Sequence, residues 1–149
     1  MRTIISTNGM EIFVSDDKFE LASKRKWYAS NRGHTYYAVS TDRNRIYLHQ
    51  YLTDYEQTDH INGNGLDCRD ENMRECTGSQ NLANRRKQSG RTSKFKGVTW
   101  NKYHNKWRVR VTRRWVTIHI GYFDDEIEAA KAYDIAAREH FGEFAKTNF

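Results

Sequence analysis

Asp59 and His60 are neighbours, and they open the run of this 149-residue chain that is richest in side chains able to do chemistry. The run continues Ile61-Asn62-Gly63-Asn64-Gly65-Leu66-Asp67, then Glu71-Asn72-Met73-Arg74, then Ser79-Gln80-Asn81-Leu82-Ala83-Asn84. These residue types suit phosphodiester hydrolysis. That reaction needs a group to take a proton from water, a charge to stabilise the phosphorane and leaving oxygen, and a scaffold to align both. A histidine suits the first task because its unperturbed pKa is ~6.5. A hard divalent cation suits the second and prefers oxygen ligands. Asp59 offers a carboxylate and Asn81 an amide carbonyl. So small a donor set makes an open site, as expected for Mg²⁺ held partly by water and substrate phosphate.

The elements around these residues must position them. The turn-rich stretch Ile61 to Gly65 predicts that His60 ends a strand at a tight connection. Thr77 or Ser79 can cap a helix running through Asn81 to Arg85, whose N-terminus favours a nearby phosphate. Neighbours on a flat strand face opposite sides. Asp59 and His60 can therefore share one spot only if the chain bends or the site lies at a strand edge. His49, in Tyr47-Leu48-His49-Gln50, is expected as a half-buried strand histidine. His34, His104, His119 and His140 show no ligand spacing.

Asp59-His60, Asn72 and Asn81 together resemble the HNH nuclease motif with asparagine in its third place, a variant found among phage and intron-encoded homing endonucleases. Asn72 to Asn81, with Cys76-Thr77 and Gln80-Asn81, is similar to the strand-to-helix step of that family. The resemblance implies a ββα-metal core and a DNA endonuclease of homing type. It implies His60 as general base, Asp59 and Asn81 as ligands of Mg²⁺ or Mn²⁺, and Asn72 as a structural residue tying the loop. Related sequences often carry Asn where this chain has Cys68.

Charge points to the partner. Net charge is +6, yet from Cys76 to Phe123 there is no Asp or Glu and there are 12 Lys/Arg. The first 75 residues hold 12 acids against 10 Lys/Arg, and the last 26 hold 7 against 3. A one-sign block is what a polyanion-binding surface looks like. No basic amphipathic helix occurs there to favour a membrane. Double-stranded DNA is the expected partner, with no small-molecule cofactor, for a monomer or weak dimer.

Residues 94–149 read as three strands, Val98 to Trp100, Trp107 to Thr112 and Trp115 to Ile120, followed by a helix from Asp124 to Phe141. Asp125 and Glu128 form a capping-box pattern and Gly142 suits the stop. The stretch resembles an AP2/ERF DNA-binding domain through Lys96-Gly97-Val98, Lys106 to Val111, Ile118 to Phe123, Glu128 to Ala137 and Asn148-Phe149. That implies a three-stranded antiparallel sheet backed by one helix. Strand alternation puts Val98, Trp100, Trp107, Val109, Val111, Val116, Ile118 and Ile120 on an apolar face. The opposite face carries Thr99, Asn101, Arg108, Arg110, Thr112, Trp115, Thr117 and His119, and a sheet face can enter the major groove. Arg108 and Arg110 are the strong base-edge candidates. Lys96, Lys102, Arg113 and Arg114 are expected on phosphate, with Arg85, Arg86 and Lys87 adding to the basic surface.

The remainder is plainer. Hydrophobic residues are 37% and mean hydropathy is -0.98, so no large core is available. Two cysteines without a Cys-x-x-Cys pair argue against a disulfide framework and a structural zinc. No apolar run suggests a signal peptide or membrane span, so a cytoplasmic protein of a bacterium or phage-infected cell is expected. Residues 1–50 predict a small β-rich support, with strands at Thr3–Ser6, Glu11–Val14, Thr35–Val39 and Arg45–Leu48 and a helix over Phe19–Tyr28. The expected organisation is α+β: residues 1–50 as support, 51–88 as ββα-metal core, 89–93 as linker, and 94–149 as DNA-binding domain. The alternative is a non-catalytic DNA-binding regulator carrying a relic nuclease core.

Overall fold

The computed structural model describes every residue except Gln88, Ser89, Arg91 and Trp115. Part of the linker expected over residues 89–93, and the Trp115 position on the DNA face, therefore lie outside the described residues. The chain forms two compact units, Met1–Thr77 and Gly78–Phe149.

The first unit is built from short strands and two one-turn helices. Strands β1 (Arg2–Ile5) and β2 (Glu11–Val14) form an antiparallel hairpin. Helix α1 (Phe19–Ser23) follows, then the antiparallel pair β3 (Trp27–Asn31) and β4 (Tyr36–Ser40). Helix α2 (Leu48–Leu52) leads into β5 (Thr58–His60). Strand β6 (Asp67–Cys68) joins the parallel side of β2, and β7 (Met73–Glu75) returns antiparallel to β5. Ile12, Val14, Trp27, Leu48, Leu52, Leu66, Cys68 and Met73 share one buried core. Residues on both sides of position 50 thus belong to the same unit.

Two local expectations are corrected here. The helix expected over Phe19–Tyr28 ends at Ser23, and Trp27-Tyr28 begins a strand. Trp27 is 1% exposed and its indole N–H donates to the Ala22 carbonyl at 2.8 Å, so core packing takes it out of the helix. The strand expected at Arg45–Leu48 is absent. Arg45 has φ of 44°, which breaks extended backbone. Tyr47 makes an isolated bridge to Val39 and the Ile46 carbonyl accepts from the Ser40 amide at 2.8 Å, while Leu48 and Leu52 are buried four residues apart, the helical spacing of α2.

The second unit opens with α3 (Gly78–Asn84), followed by the sheet β8 (Val98–Asn101), β9 (Lys106–Arg113) and β10 (Val116–Phe123) in the order β10-β9-β8. Helix α4 (Glu126–Phe141) packs on it, with α3 against α4. Asp125 caps α4 by accepting from the Ile127 and Glu128 amides, and Gly142 ends it with φ of 55°. The core joins Val98, Val109 and Val111 to Ala129, Ala130, Tyr133, Ala136 and Ala137, small side chains that let helix and sheet approach. Gly97 shows how closely. It has φ of 76°, and a Cβ there would lie 1.9 Å from the Tyr133 ring. Val116, expected on the apolar face, is 63% exposed at the β9–β10 turn. A register shift between His119 and Gly121 interrupts strict alternation along β10. No helix among the described residues is long and apolar enough to cross a membrane.

Candidate functional site

The site in the first unit is a three-residue hairpin. Its register pairs Thr58 with Glu75, Asp59 with Arg74 and His60 with Met73. The Gly63 amide donates to the His60 carbonyl at 2.8 Å, turning the chain directly after His60. Asn72, 5% exposed, ties the two ends of the loop: its side-chain carbonyl accepts from the Asn62 amide at 3.0 Å and its amide donates to the Asp67 carbonyl at 2.7 Å. Asn62 in turn donates to the Asp67 carboxylate at 2.8 Å. Arg69 grips that carboxylate with two bonds of 2.7 Å. Those bonds hold the Asp67 carboxyl below the usual carboxylate range.

Strand alternation sends Asp59 and His60 to different partners, although both are buried, at 3% and 5% exposure. Asp59 accepts from the Arg74 guanidinium at 2.9 Å from Nε and 2.8 Å from Nη2. His60 meets His49 with ring centroids 5.1 Å apart and planes at 83°, and meets Tyr37 at 5.7 Å. Its Nε2 is 3.9 Å from the Cys68 sulfur. Tyr47 stacks on His49 at 5.3 Å. Burial pushes the Cys68 thiol up to about 12. It is core, not nucleophile.

The electrostatics follow from burial. Desolvation pulls the His60 imidazole down to about 4, overcoming the opposing pull of Asp59 and Asp67. Desolvation, and then the nearby His60, pull His49 to about 4 as well. Both rings are neutral at pH 7. His49 was expected on a strand; it lies on α2, and its buried Nδ1 has no hydrogen-bond partner among the described residues. Arg74, Tyr37 and the place of His49 escaped the reading of the sequence. The signal that could have found Arg74 is the hairpin register, which sets it directly across from Asp59.

Asn81 lies on α3, in the second unit, and is half-buried. Among the described residues no group of three His, Cys, Asp or Glu side chains converges on one point. An oxygen-poor site completed by water and phosphate, with Asp59 as its carboxylate, fits the donor set.

In the second unit the exposed face of the sheet is set by register. Thr99 pairs with Arg108, Arg110 with His119, and Thr112 with Thr117. Arg110, Thr112, Arg113, Arg114, Thr117 and His119 are exposed. Arg108 is half-buried, and neither its Nε nor the Thr99 hydroxyl has a hydrogen-bond partner among the described residues. Arg110, Thr112 and Thr117 also line a cleft of about 350 Å³ with Arg85, Arg86 and Lys87. Two expected DNA contacts are engaged elsewhere. The Lys96 ammonium donates to the Ala83 carbonyl in the last turn of α3, and burial pulls its pKa to about 8. The Asn101 side-chain carbonyl accepts from the Tyr103 and His104 amides, shaping the β8–β9 turn. Lys102 is exposed on that turn. Asn148 binds Lys96 through its side chain and Asp134 through backbone and side chain, clamping the last residues against β8 and α4.

No family model matches the sequence. The chain is 33% identical over 150 residues to an uncharacterized HNH endonuclease of Acanthamoeba polyphaga mimivirus, a similarity covering 94% of this chain and 75% of that protein. It is 35% identical over 85 residues to an ethylene-responsive transcription factor of Arabidopsis thaliana, covering 53% of this chain and 20% of that protein. It is 45% identical over 60 residues to APETALA2-like protein 2 of Oryza sativa subsp. japonica, covering 39% of this chain and 14% of that protein. The chain thus spans only a small part of the plant proteins it matches.

Proposed function

The chain belongs to the HNH endonuclease family, and from that premise we propose that it hydrolyses DNA phosphodiester bonds at Asp59 and His60 while its second unit holds the duplex. The observation that carries this reading is His60 itself. It is buried at the end of a short hairpin, next to a carboxylate, with its imidazole pulled down to about 4. A neutral imidazole at pH 7 can accept a proton from water, and the burial that keeps it neutral also makes it a weaker base than an exposed histidine. His49 and Tyr37 pack around the ring and hold its orientation. Asn72 fixes the loop that sets where His60 ends.

Asp59 is the carboxylate available to Mg²⁺ or Mn²⁺; Asn81, the second oxygen donor that the motif resemblance implies, lies on α3 of the other unit. Such an ion would supply positive charge for the phosphorane and leaving oxygen. Arg74 already engages Asp59 Oδ2, so carboxylate and guanidinium must share whatever lies beside them. Arg108 and Arg110 are the proposed base-edge readers. Lys102, Arg113, Arg114, Arg85 and Arg86 are the proposed phosphate contacts. One such site per chain allows nicking of a single strand, or cutting of both strands by a dimer, and the homing role follows from the motif resemblance alone.

Plasmid incubated with Mg²⁺ is expected to yield nicked product, and EDTA to stop it. His60→Ala should abolish cutting and leave DNA affinity nearly unchanged; equal loss of both would contradict the role given to His60. The Arg74–Asp59 ion pair favours one second reading, a DNA-binding protein with an idle nuclease core. Intact plasmid with wild-type protein in both Mg²⁺ and Mn²⁺ would decide for it.

A further inference from the structure

The first unit carries a second basic surface, outside the catalytic hairpin. From Lys24 to Tyr47 the chain holds six Lys/Arg and one acid. That acid, Asp42, is paired with Arg25. The β3–β4 hairpin separates its faces by alternation: Trp27 and Ala29 are each 1% exposed in the core, whereas Tyr28 is 48% exposed on the other side. A cleft of about 530 Å³ opens there, lined by Tyr28, Ser30, Arg32, Thr41, Arg45 and Tyr47. Among the described residues neither Arg32 nor Arg45 meets a carboxylate. Arg32 donates to the Tyr47 hydroxyl at 2.7 Å. Arg45 is held at φ of 44°, a conformation that bulky side chains rarely adopt, in a turn where its amide donates to the Asp42 carbonyl.

Two exposed guanidinium groups, an upturned aromatic ring and several hydroxyls are the means by which proteins hold unpaired nucleic-acid strands: cations on phosphates and rings under bases. The volume lies in the range of about 300–1,000 Å³ that suits a small-molecule-sized group, such as one nucleotide unit, and a duplex is far larger. We propose that this cleft binds a nucleotide unit of an unpaired DNA strand, with Arg32 and Arg45 on its phosphates and Tyr28 stacked on its base. The proposal rests on the endonuclease reading for its purpose. Tyr47 belongs to both places: its hydroxyl bonds Arg32, and its ring stacks on His49, which meets His60. A strand in the cleft therefore lies a single side chain away from the imidazole pair.

The test is photocrosslinking of the full chain, in EDTA, to a short single-stranded oligodeoxynucleotide carrying 5-iodouracil, followed by peptide mapping. The expected crosslink is in the peptide bearing Tyr28. Crosslinks confined to residues 94–149 would overturn the proposal. Anisotropy measurements with the same strand should show Tyr28→Ala weakening binding by about five- to tenfold, the loss of one stack, and Arg45→Asn weakening it most at low salt, with a salt slope shallower by about 0.7. Duplex affinity should change by less than about twofold. Unchanged single-strand affinity in both variants would also overturn it, as would protection of the crosslink by micromolar deoxyadenosine monophosphate, which would make this a free-nucleotide site. Plasmid nicking run in parallel separates the two readings. A Tyr28-dependent crosslink without nicking leaves the cleft and removes the nuclease; nicking without the crosslink does the reverse.

Discussion

Lowering the pH from 7 to 5 should destabilise the first unit before it alters the second, because His60 is buried in its neutral form. The imidazole pKa is 6.5 when unfolded and about 4 when folded. A folded pKa below the unfolded one means that the unfolded chain takes up the proton first. Stability is thus fully present above pH 6.5 and is lost progressively as pH falls towards 4. For this one residue the loss between pH 7 and 5 is about 2 kcal/mol. His49 shifts in the same direction, and being half-buried it adds less. For a unit of this size that loss lowers the melting midpoint by about 10 °C. Urea unfolding followed by hydrogen exchange in the β5–β7 hairpin would measure it, and His60→Asn should remove roughly half of the pH dependence. The same burial sets the rate profile. Nicking should stay flat from pH 8 to 6, since the base is already neutral. An NMR titration showing His60 protonating at 6.5 or above, or a tenfold fall in rate per pH unit starting there, would refute the argument.

Arg74→Met should cost the first unit about 3–5 kcal/mol, because Asp59 is 4% exposed at its side chain and would be left as a buried, less compensated charge; urea unfolding would measure it. Gly97→Ala should destabilise the second unit by several kcal/mol, roughly the upper end for point changes, since the new methyl meets the Tyr133 ring at 1.9 Å and the backbone φ is 76°. Thermal melts with the first unit as internal reference would show it. Arg113→Ala should lower the slope of log affinity against log salt by about 0.9, as one phosphate contact is lost. Arg110→Ala should instead cost about 1–3 kcal/mol on a preferred sequence and relax preference at one base pair, readable by affinity selection.

The parts of this molecule that were legible beforehand are those whose logic is local. Asp59-His60 followed by a glycine-rich turn announces a strand end, and the hydrogen bond from Gly63 to His60 is that turn. Asp125 announces a helix start, and it caps α4 with its own carboxylate. What stayed hidden depends on pairing between distant segments. Arg74 faces Asp59 only once β7 lies against β5 in one register. His49 looked like a strand residue because a short apolar run such as Tyr47-Leu48 suits either state, and burial of Leu48 with Leu52 decides for the helix. Lys96 read as a phosphate contact, yet the end of α3 claims its ammonium.

The division of charge between the surfaces has a kinetic consequence. At the proposed catalytic hairpin Asp59 is matched by Arg74, and the two imidazoles are neutral at pH 7, so those four groups carry no net charge to attract a phosphate. Beyond the proposed ion, attraction comes from the acid-free stretch between Cys76 and Phe123. Interactions made equally with substrate and transition state alter KM and leave kcat alone. Raising salt should therefore weaken KM steeply, as counterions compete for the basic surfaces, while kcat at saturating DNA stays nearly constant because the buried hairpin is little screened. A kcat that fell in step with KM would place the phosphate-binding charges at the reacting centre itself, and Arg74 would be the first residue to suspect.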